Sequence, residues 1–276
     1  MGRKYGDVTP RAVILARGLG TRMRRVDGGT ALAGGQAAAA DAGLKAMMPI
    51  GRPFIDYILS ALADAGIEEA CLVIGPEHAG VRAHFADGGP RRVAVRFAVQ
   101  EAALGTADAV LAAEEFAAGG RFMVLNGDNY YPVPVLARMA SLQEPAVAAF
   151  SRSALLAGGR IPAERIERFA ILDIGEDGCL RRIVEKPDGA ALAAFGPDPR
   201  VSMNCWIFDS RIFDACRALT PSPRGELELP LAVQAAIDAG AMRVRAVMVD
   251  APVLDLSSRA DVAAVTAELA GVAPRP

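Results

Sequence analysis

The chain has 276 residues, 52% of them hydrophobic, with 30 basic and 32 acidic side chains and a net charge of −2. That suffices for one large α/β domain or two small ones, and near-balanced, scattered charge argues against a nucleic-acid or membrane surface. No apolar run approaches membrane-spanning length, the polar start Met1-Gly2-Arg3-Lys4-Tyr5-Gly6-Asp7 reads as no signal peptide, and Cys71, Cys179, Cys205 and Cys216 lack the paired spacing of a zinc site or disulfide framework, which suits a reducing cytoplasm.

The apolar run Ala12-Val13-Ile14-Leu15-Ala16 predicts a buried strand of a parallel sheet. It runs into a glycine-rich turn, Arg17-Gly18-Leu19-Gly20-Thr21-Arg22-Met23-Arg24, whose N–H groups and arginines suit phosphate oxygens. The turn is neither of two common phosphate motifs. Met23 occupies the third glycine position of a dinucleotide fingerprint, and no Gly-Lys-Ser/Thr of a P-loop occurs anywhere.

Arg25 to Gly43 shows paired glycines and an alanine run without helix or strand periodicity, and so reads as a mobile excursion. Hanging between Arg22 and Lys45, it is placed to close over a phosphate-rich ligand as a lid, with Arg17 on the same rim able to pair with a phosphate. A helix is predicted over Pro53 to Ala65, a strand over Ala70 to Ile74 and a helix over Glu77 to Phe85. His78 and His84, six apart, are no helical metal pair and read as surface residues. Strands follow at Val93 to Val99 and Phe122 to Leu125, the latter ending in Asn126-Gly127-Asp128-Asn129. This alternation implies a Rossmann-like, mixed and mostly parallel sheet flanked by helices, with ligands beyond the carboxyl ends of its strands.

From Ala146 the pattern is richer in strands: Ala146 to Phe150, Phe169 to Ile174, Leu180 to Val184 and Val201 to Phe208, with helices at Ser210 to Leu219, Glu226 to Ala239 and Ser258 to Leu269. No linker divides the chain, so residues 1–276 are expected to form one domain, with a nucleotide half over about 1–140 and a second-substrate half over about 141–276. Only three basic residues are lysines, Lys4, Lys45 and Lys186, so a lysine inside a motif calls for a compact point charge. Asp255, taken alone, reads as a cap for the helix that follows Ser258.

Seven pieces stand in order: Gly18-Leu19-Gly20-Thr21-Arg22-Met23, Lys45-Ala46-Met47-Met48-Pro49, Leu104-Gly105-Thr106-Ala107, Gly127-Asp128-Asn129, Glu185-Lys186-Pro187, Arg224-Gly225-Glu226 and Leu254-Asp255. Together they resemble the sugar-1-phosphate nucleotidylyltransferases, the thymidylyl-, uridylyl- and guanylyltransferases that make nucleotide sugars. The resemblance implies transfer of a nucleotidyl group from an NTP to a sugar-1-phosphate with release of pyrophosphate. It implies that the backbone from Leu15 and Ala16 through Gly18, Gly20 and Thr21 cradles the nucleotide, with Arg22 and Lys45 on its phosphates and Gln100, Gly105 and Thr106 around it. Asp128 and Asp255 would hold Mg²⁺. Lys186 and Arg224 would meet the sugar phosphate, Glu185 the sugar hydroxyls, and Asn129 and Asn204 would line that end. Arg22, Lys45 and Lys186 carry the expected catalytic charges, since an anionic nucleophile needs no general base. A Gln100 amide, with one donor and one acceptor, suits the N3–H and O4 of uracil or thymine, so UTP or dTTP is the expected donor.

Four features depart from the family pattern: Arg17 for Gly or Ala, Asn204 for Gly, the long Arg25–Gly43 insert, and Leu-Asp-Leu-Ser-Ser in place of Leu-Asp-Thr-Gly-Thr. They leave the reaction type intact but open the identity of the nucleobase and sugar. Two other readings stand beside it: a regulatory protein that binds a nucleotide sugar without turnover, favoured by Arg17 alone, and transfer to a non-sugar phosphate. The expected partners are the NTP and the sugar-1-phosphate, with no nucleic acid or membrane and with a homo-oligomer left open.

Overall fold

The computed structural model describes residues 11–26, 30–86, 89, 91–158, 160–185 and 187–276. The polar start, residues 27–29 of the insert, and Lys186 lie outside them. Eleven strands are present among the described residues: β1 (Arg11–Leu15), β2 (Glu69–Ile74), β3 (Ala94–Val99), β4 (Phe122–Asn126), β5 (Asn129–Tyr130), β6 (Ala146–Ser151), β7 (Ile171–Ile174), β8 (Leu180–Val184), β9 (Arg200–Phe208), β10 (Arg245–Val249) and β11 (Leu254–Asp255). The main sheet runs β3-β2-β1-β4-β9-β6-β10, with β7 and β8 extending from β9. Strands β1, β2, β3 and β4 are mutually parallel, as are β6 and β10. Only β9 breaks the run, lying antiparallel to both β4 and β6.

β1 shows why helices cover both faces. Successive side chains of a strand point to opposite sides, so Ala12 and Ile14 enter one core and Val13 the other. The first core packs the helix Phe54–Asp64, which buries Phe54, Ile55, Ile58, Leu59 and Leu62. The second takes Val110 from the helix Thr106–Ala112 and Ile212 and Phe213 from the helix Arg211–Ala218. There Trp206 stacks on Phe208 and Phe122 on Phe213, at centroid separations of 5.5 and 5.3 Å. No helix among the described residues is long and apolar enough to cross a membrane, and all four cysteines are buried free thiols.

Three expectations change. Part of the insert is a helix, Gly34–Ala42, not an irregular excursion. Gln36 closes its first turn by accepting from the Ala33 N–H, and Gly43 ends it in a left-handed conformation. Arg259 then fastens the segment, donating from Nε to the Met23 and Arg25 carbonyls and from Nη2 to Asp41. His78 is buried, not a surface residue, and its Nδ1 accepts from the Gly75 N–H at 3.4 Å. Asp255 caps no helix; Asp261 accepts the Ser257 and Ser258 N–H groups instead.

Candidate active site

A cavity of about 400 Å³ opens at the carboxyl ends of β1 and β4. Leu15, Ala16, Arg17 and Gly18 form one wall, Asn126, Gly127 and Asp128 the floor, Lys45 and Ala46 one side, and Gln100, Gly105 and Thr106 the other. Glu185, Asn204, Glu226 and Glu228 line the far end. A smaller cavity of about 110 Å³ adjoins it, sharing Asn126, Asp128 and Asn204 and adding Asn129, Ser202, Asp255 and Ser257.

Glycine is required for two close approaches. A Cβ on Gly20, at φ +61°, would sit 2.5 Å from the Gly43 Cα, so this glycine lets the turn pack on the end of the insert helix. A Cβ on Gly105, at φ +121°, would sit 2.4 Å from the Leu227 carbonyl. The Leu227 N–H donates to the Leu104 carbonyl, the Ala107 N–H to the Leu227 carbonyl, and the Leu229 N–H to Thr106 Oγ1 at 2.8 Å. This lattice ties the Leu104–Ala107 turn to the Arg224–Glu228 segment.

The charges fall into two sets. Lys45 Nζ lies 2.8 Å from Asp128 Oδ2, both side chains keeping an exposed edge on the cavity. Asp255 is buried and bonded at both oxygens: Oδ1 accepts from Ser257 Oγ at 2.8 Å and from Asn129 Nδ2 at 3.2 Å, and Oδ2 from Arg165 Nη1 at 2.7 Å. Burial, and then the negative charge of Asp128, push the Asp255 carboxyl above the usual carboxylate range against the pull of Arg165. Arg165 is held in turn by Asp261, from Nη1 at 2.9 Å and from Nη2 at 3.1 Å. At the cavity wall, Arg17 Nη2 reaches Glu77 at 3.4 Å and the Glu101 carbonyl at 3.3 Å, while its Nε and Nη1 are buried without a hydrogen-bond partner among the described residues.

Of the residues singled out by sequence, Leu15, Ala16, Gly18, Lys45, Gln100, Gly105, Thr106, Asp128, Glu185 and Asn204 line the main cavity, and Asn129 and Asp255 the smaller one. Thr21 and Arg22 are exposed at the head of the short helix Thr21–Arg24 and line neither cavity. Arg224 meets the site through Glu228, donating from Nε to Oε1 at 3.2 Å. Arg165 went unnoticed in the sequence, a lone arginine 90 residues from the carboxylate that it holds.

Asn204 sits where β9 slips register against β6, with φ +56°. A bulge suits a residue aimed at a site, and asparagine tolerates the left-handed region where most side chains do not. Gln100 spends both amide hydrogens inside the protein, on the Gly105 carbonyl at 2.9 Å and Asp108 Oδ2 at 2.8 Å. It therefore offers a ligand only its Oε1 acceptor, half of what the sequence suggested.

The Mg²⁺ implied by the family pattern can be tested on the donors present. Among the described residues no three His, Cys, Asp or Glu side chains cluster, so an ion would rest on one or two carboxylates and substrate phosphates. Asp128 fits, with an exposed edge and a flexible lysine partner that can leave. Asp255 does not fit as it stands, because it is buried, both its oxygens accept hydrogen bonds and one carries a guanidinium.

A parallel-strand edge that ends in a glycine turn, with a lysine–aspartate pair facing a cavity beyond it, defines an α/β protein with a ligand site at the carboxyl ends of its strands. The chain belongs to the nucleotidyl transferase family, whose model matches residues 32–261. It is 27% identical over 237 residues to the low-salt glycan biosynthesis nucleotidyltransferase Agl11 of Haloferax volcanii, and 29% identical over 234 residues to a glucose-1-phosphate thymidylyltransferase of Streptomyces griseus. Each match covers 83% of this chain but only 58% of the relative. A UTP-bound UGPase of Acinetobacter baumannii shares the fold, with a TM-score of 0.73 at 20% identity over 96% of this chain and 95% of that one. A UDP-glucose pyrophosphorylase complexed with UDP-glucose gives 0.71 at 18% identity, covering 95% of this chain and 98% of that one.

Proposed function

We propose that the chain transfers a nucleotidyl group from UTP or dTTP to a sugar-1-phosphate. The sugar phosphate oxygen attacks the α-phosphorus, a new P–O bond forms, and pyrophosphate leaves. One observation carries the reading: Lys45 and Asp128, 2.8 Å apart, face a single cavity beside the glycine turn. Lys45 leaves Asp128 for the triphosphate, so its point charge moves to where negative charge accumulates. Asp128 would hold Mg²⁺ together with the substrate, and the ion would supply further charge screening. Gln100 Oε1 accepts the N3–H of the base. Glu185 and Asn204 face the sugar, and Lys186 and Arg224 carry the charge for its phosphate. The free thiols suit the cytoplasmic setting read from composition.

The test is a matrix of NTPs against sugar-1-phosphates, scored by pyrophosphate release with and without Mg²⁺. Release only with UTP or dTTP and a sugar-1-phosphate together is the expected result. A second reading, a nucleotide-sugar binder without turnover, is favoured by the hold of Arg165 and Ser257 on Asp255. Tight binding with no release in any cell of the matrix would establish it instead.

A further inference from the structure

A carboxylate offers about four lone-pair positions, and three of those on Asp255 are occupied by Ser257, Asn129 and Arg165. The partners are not interchangeable surface groups. Arg165 stays charged under any working condition and is clamped from the far side, both terminal nitrogens on Asp261 and Nη2 also on Ser258 Oγ at 3.3 Å. Ser257 and Ser258 stand where the family pattern has Gly-Thr, and both hydroxyls serve this network: Ser257 Oγ donates to Asp255, and Ser258 Oγ donates to Asp261 at 2.9 Å. The departure in the motif and Arg165 thus belong to one arrangement. Lys45 on Asp128 differs, since it has a flexible stem, one partner among the described residues and an exposed edge through which it can move to a phosphate.

We infer that Asp255 is the seat of Arg165 and not a metal ligand, so that this site binds its divalent ion through a single protein carboxylate, Asp128. The inference rests on the proposed function only for the ion's role. A second cation at Asp255 Oδ2 would share an oxygen with a guanidinium 2.7 Å away, in a buried setting where like charges repel strongly. Arg165 instead supplies a permanent positive charge behind the site, and acts as a positioning residue.

Mn²⁺ alone, titrated into the intact chain and followed by water-proton relaxation, tests this without nucleotide. Asp128→Asn should weaken Mn²⁺ binding at least about tenfold, and Asp255→Asn should change it by less than about threefold. Arg165→Gln should tighten it at least about tenfold, by releasing a second carboxylate beside the first. Equal weakening by Asp128→Asn and Asp255→Asn overturns the inference. If Asp255→Asn does not fold, as read from thermal melting, Arg165→Gln decides: tighter binding supports the inference, and unchanged or weaker binding overturns it. Calorimetry with UTP is the separate control on function. A chain that binds no UTP ends the transferase reading and leaves the Mn²⁺ comparison standing.

Discussion

Thr106 Oγ1 accepts the Leu229 N–H at 2.8 Å, joining the turn on the nucleotide side of the cavity to the first residue of the helix Leu229–Asp238. The bond satisfies a helix N–H that has no partner within its own helix. Thr106→Val keeps the shape and removes the acceptor. It should lower unfolding free energy by about 1–3 kcal/mol in urea titrations, with Thr106→Ser recovering most of the loss. Equal stability of wild type and Thr106→Val would show the bond to be incidental.

Lys45→Met should lower the rate of pyrophosphate release at least about 100-fold. Its ion pair keeps an exposed edge, so the same change should alter stability by less than about 1 kcal/mol. Rate assays beside thermal melts separate the two; a large loss of stability with intact turnover would make the pair structural.

Burial holds the His78 imidazole below its ordinary pKa, and the nearby Arg17 and Arg24 charges add to this against the pull of Glu77. A depressed pKa means that the unfolded chain binds the proton more readily. The stability that neutral His78 contributes is therefore full above about pH 7 and is lost as pH falls from the unfolded value near 6.5 through the folded one. Protonation would also end the acceptor role of Nδ1 toward Gly75. Melting temperatures should fall between about pH 7 and 5, and His78→Asn should flatten that slope. An unchanged slope in the variant would assign the effect to other groups.

Arg259→Met should release the Arg25–Gly43 segment, because one guanidinium holds the Met23 and Arg25 carbonyls and Asp41. Hydrogen exchange across residues 34–42 should quicken while exchange in β1 and β4 stays as in wild type. Uniform protection in both proteins would mean that the Gln36 bond to the Pro49 carbonyl and the burial of Ala40 hold the helix unaided.

These contacts mark what the sequence discloses and what it hides. β1 and β4 were legible because unbroken apolar runs bury both faces, and Asp128 because it follows one of them directly. The helix Gly34–Ala42 was not, since its glycine pair lowers intrinsic helicity and its fastening comes from Arg259, 218 residues from Asp41. β10 escaped notice for a similar reason: its exposed Arg245 and Met248 alternate with buried Val247 and Val249 too briefly to stand out. His78 looked like any helix-start polar residue, and only the tertiary fold covers it. Lys45 could be singled out through the scarcity of lysine, whereas Arg165 is one of many arginines and nothing local marks it. Site membership was readable where a strand end delivers it, and unreadable where a side chain arrives from elsewhere.

The two-stranded β5–β11 pairing has a consequence for how this site can change over time. Asp255 is opposite Asn129 in antiparallel register, and the Leu256 N–H donates to the Asp128 carbonyl at 2.8 Å. The spacing of the two acids is thus ruled by main-chain bonds that no side-chain replacement in the neighbourhood cuts. A lineage could exchange the groups around Asp255, hydroxyls for glycine or an arginine for an ion, while the carboxylate kept its address. Place and occupation are inherited separately here, so a motif can be retained letter for letter at Asp255 while its partner has been exchanged.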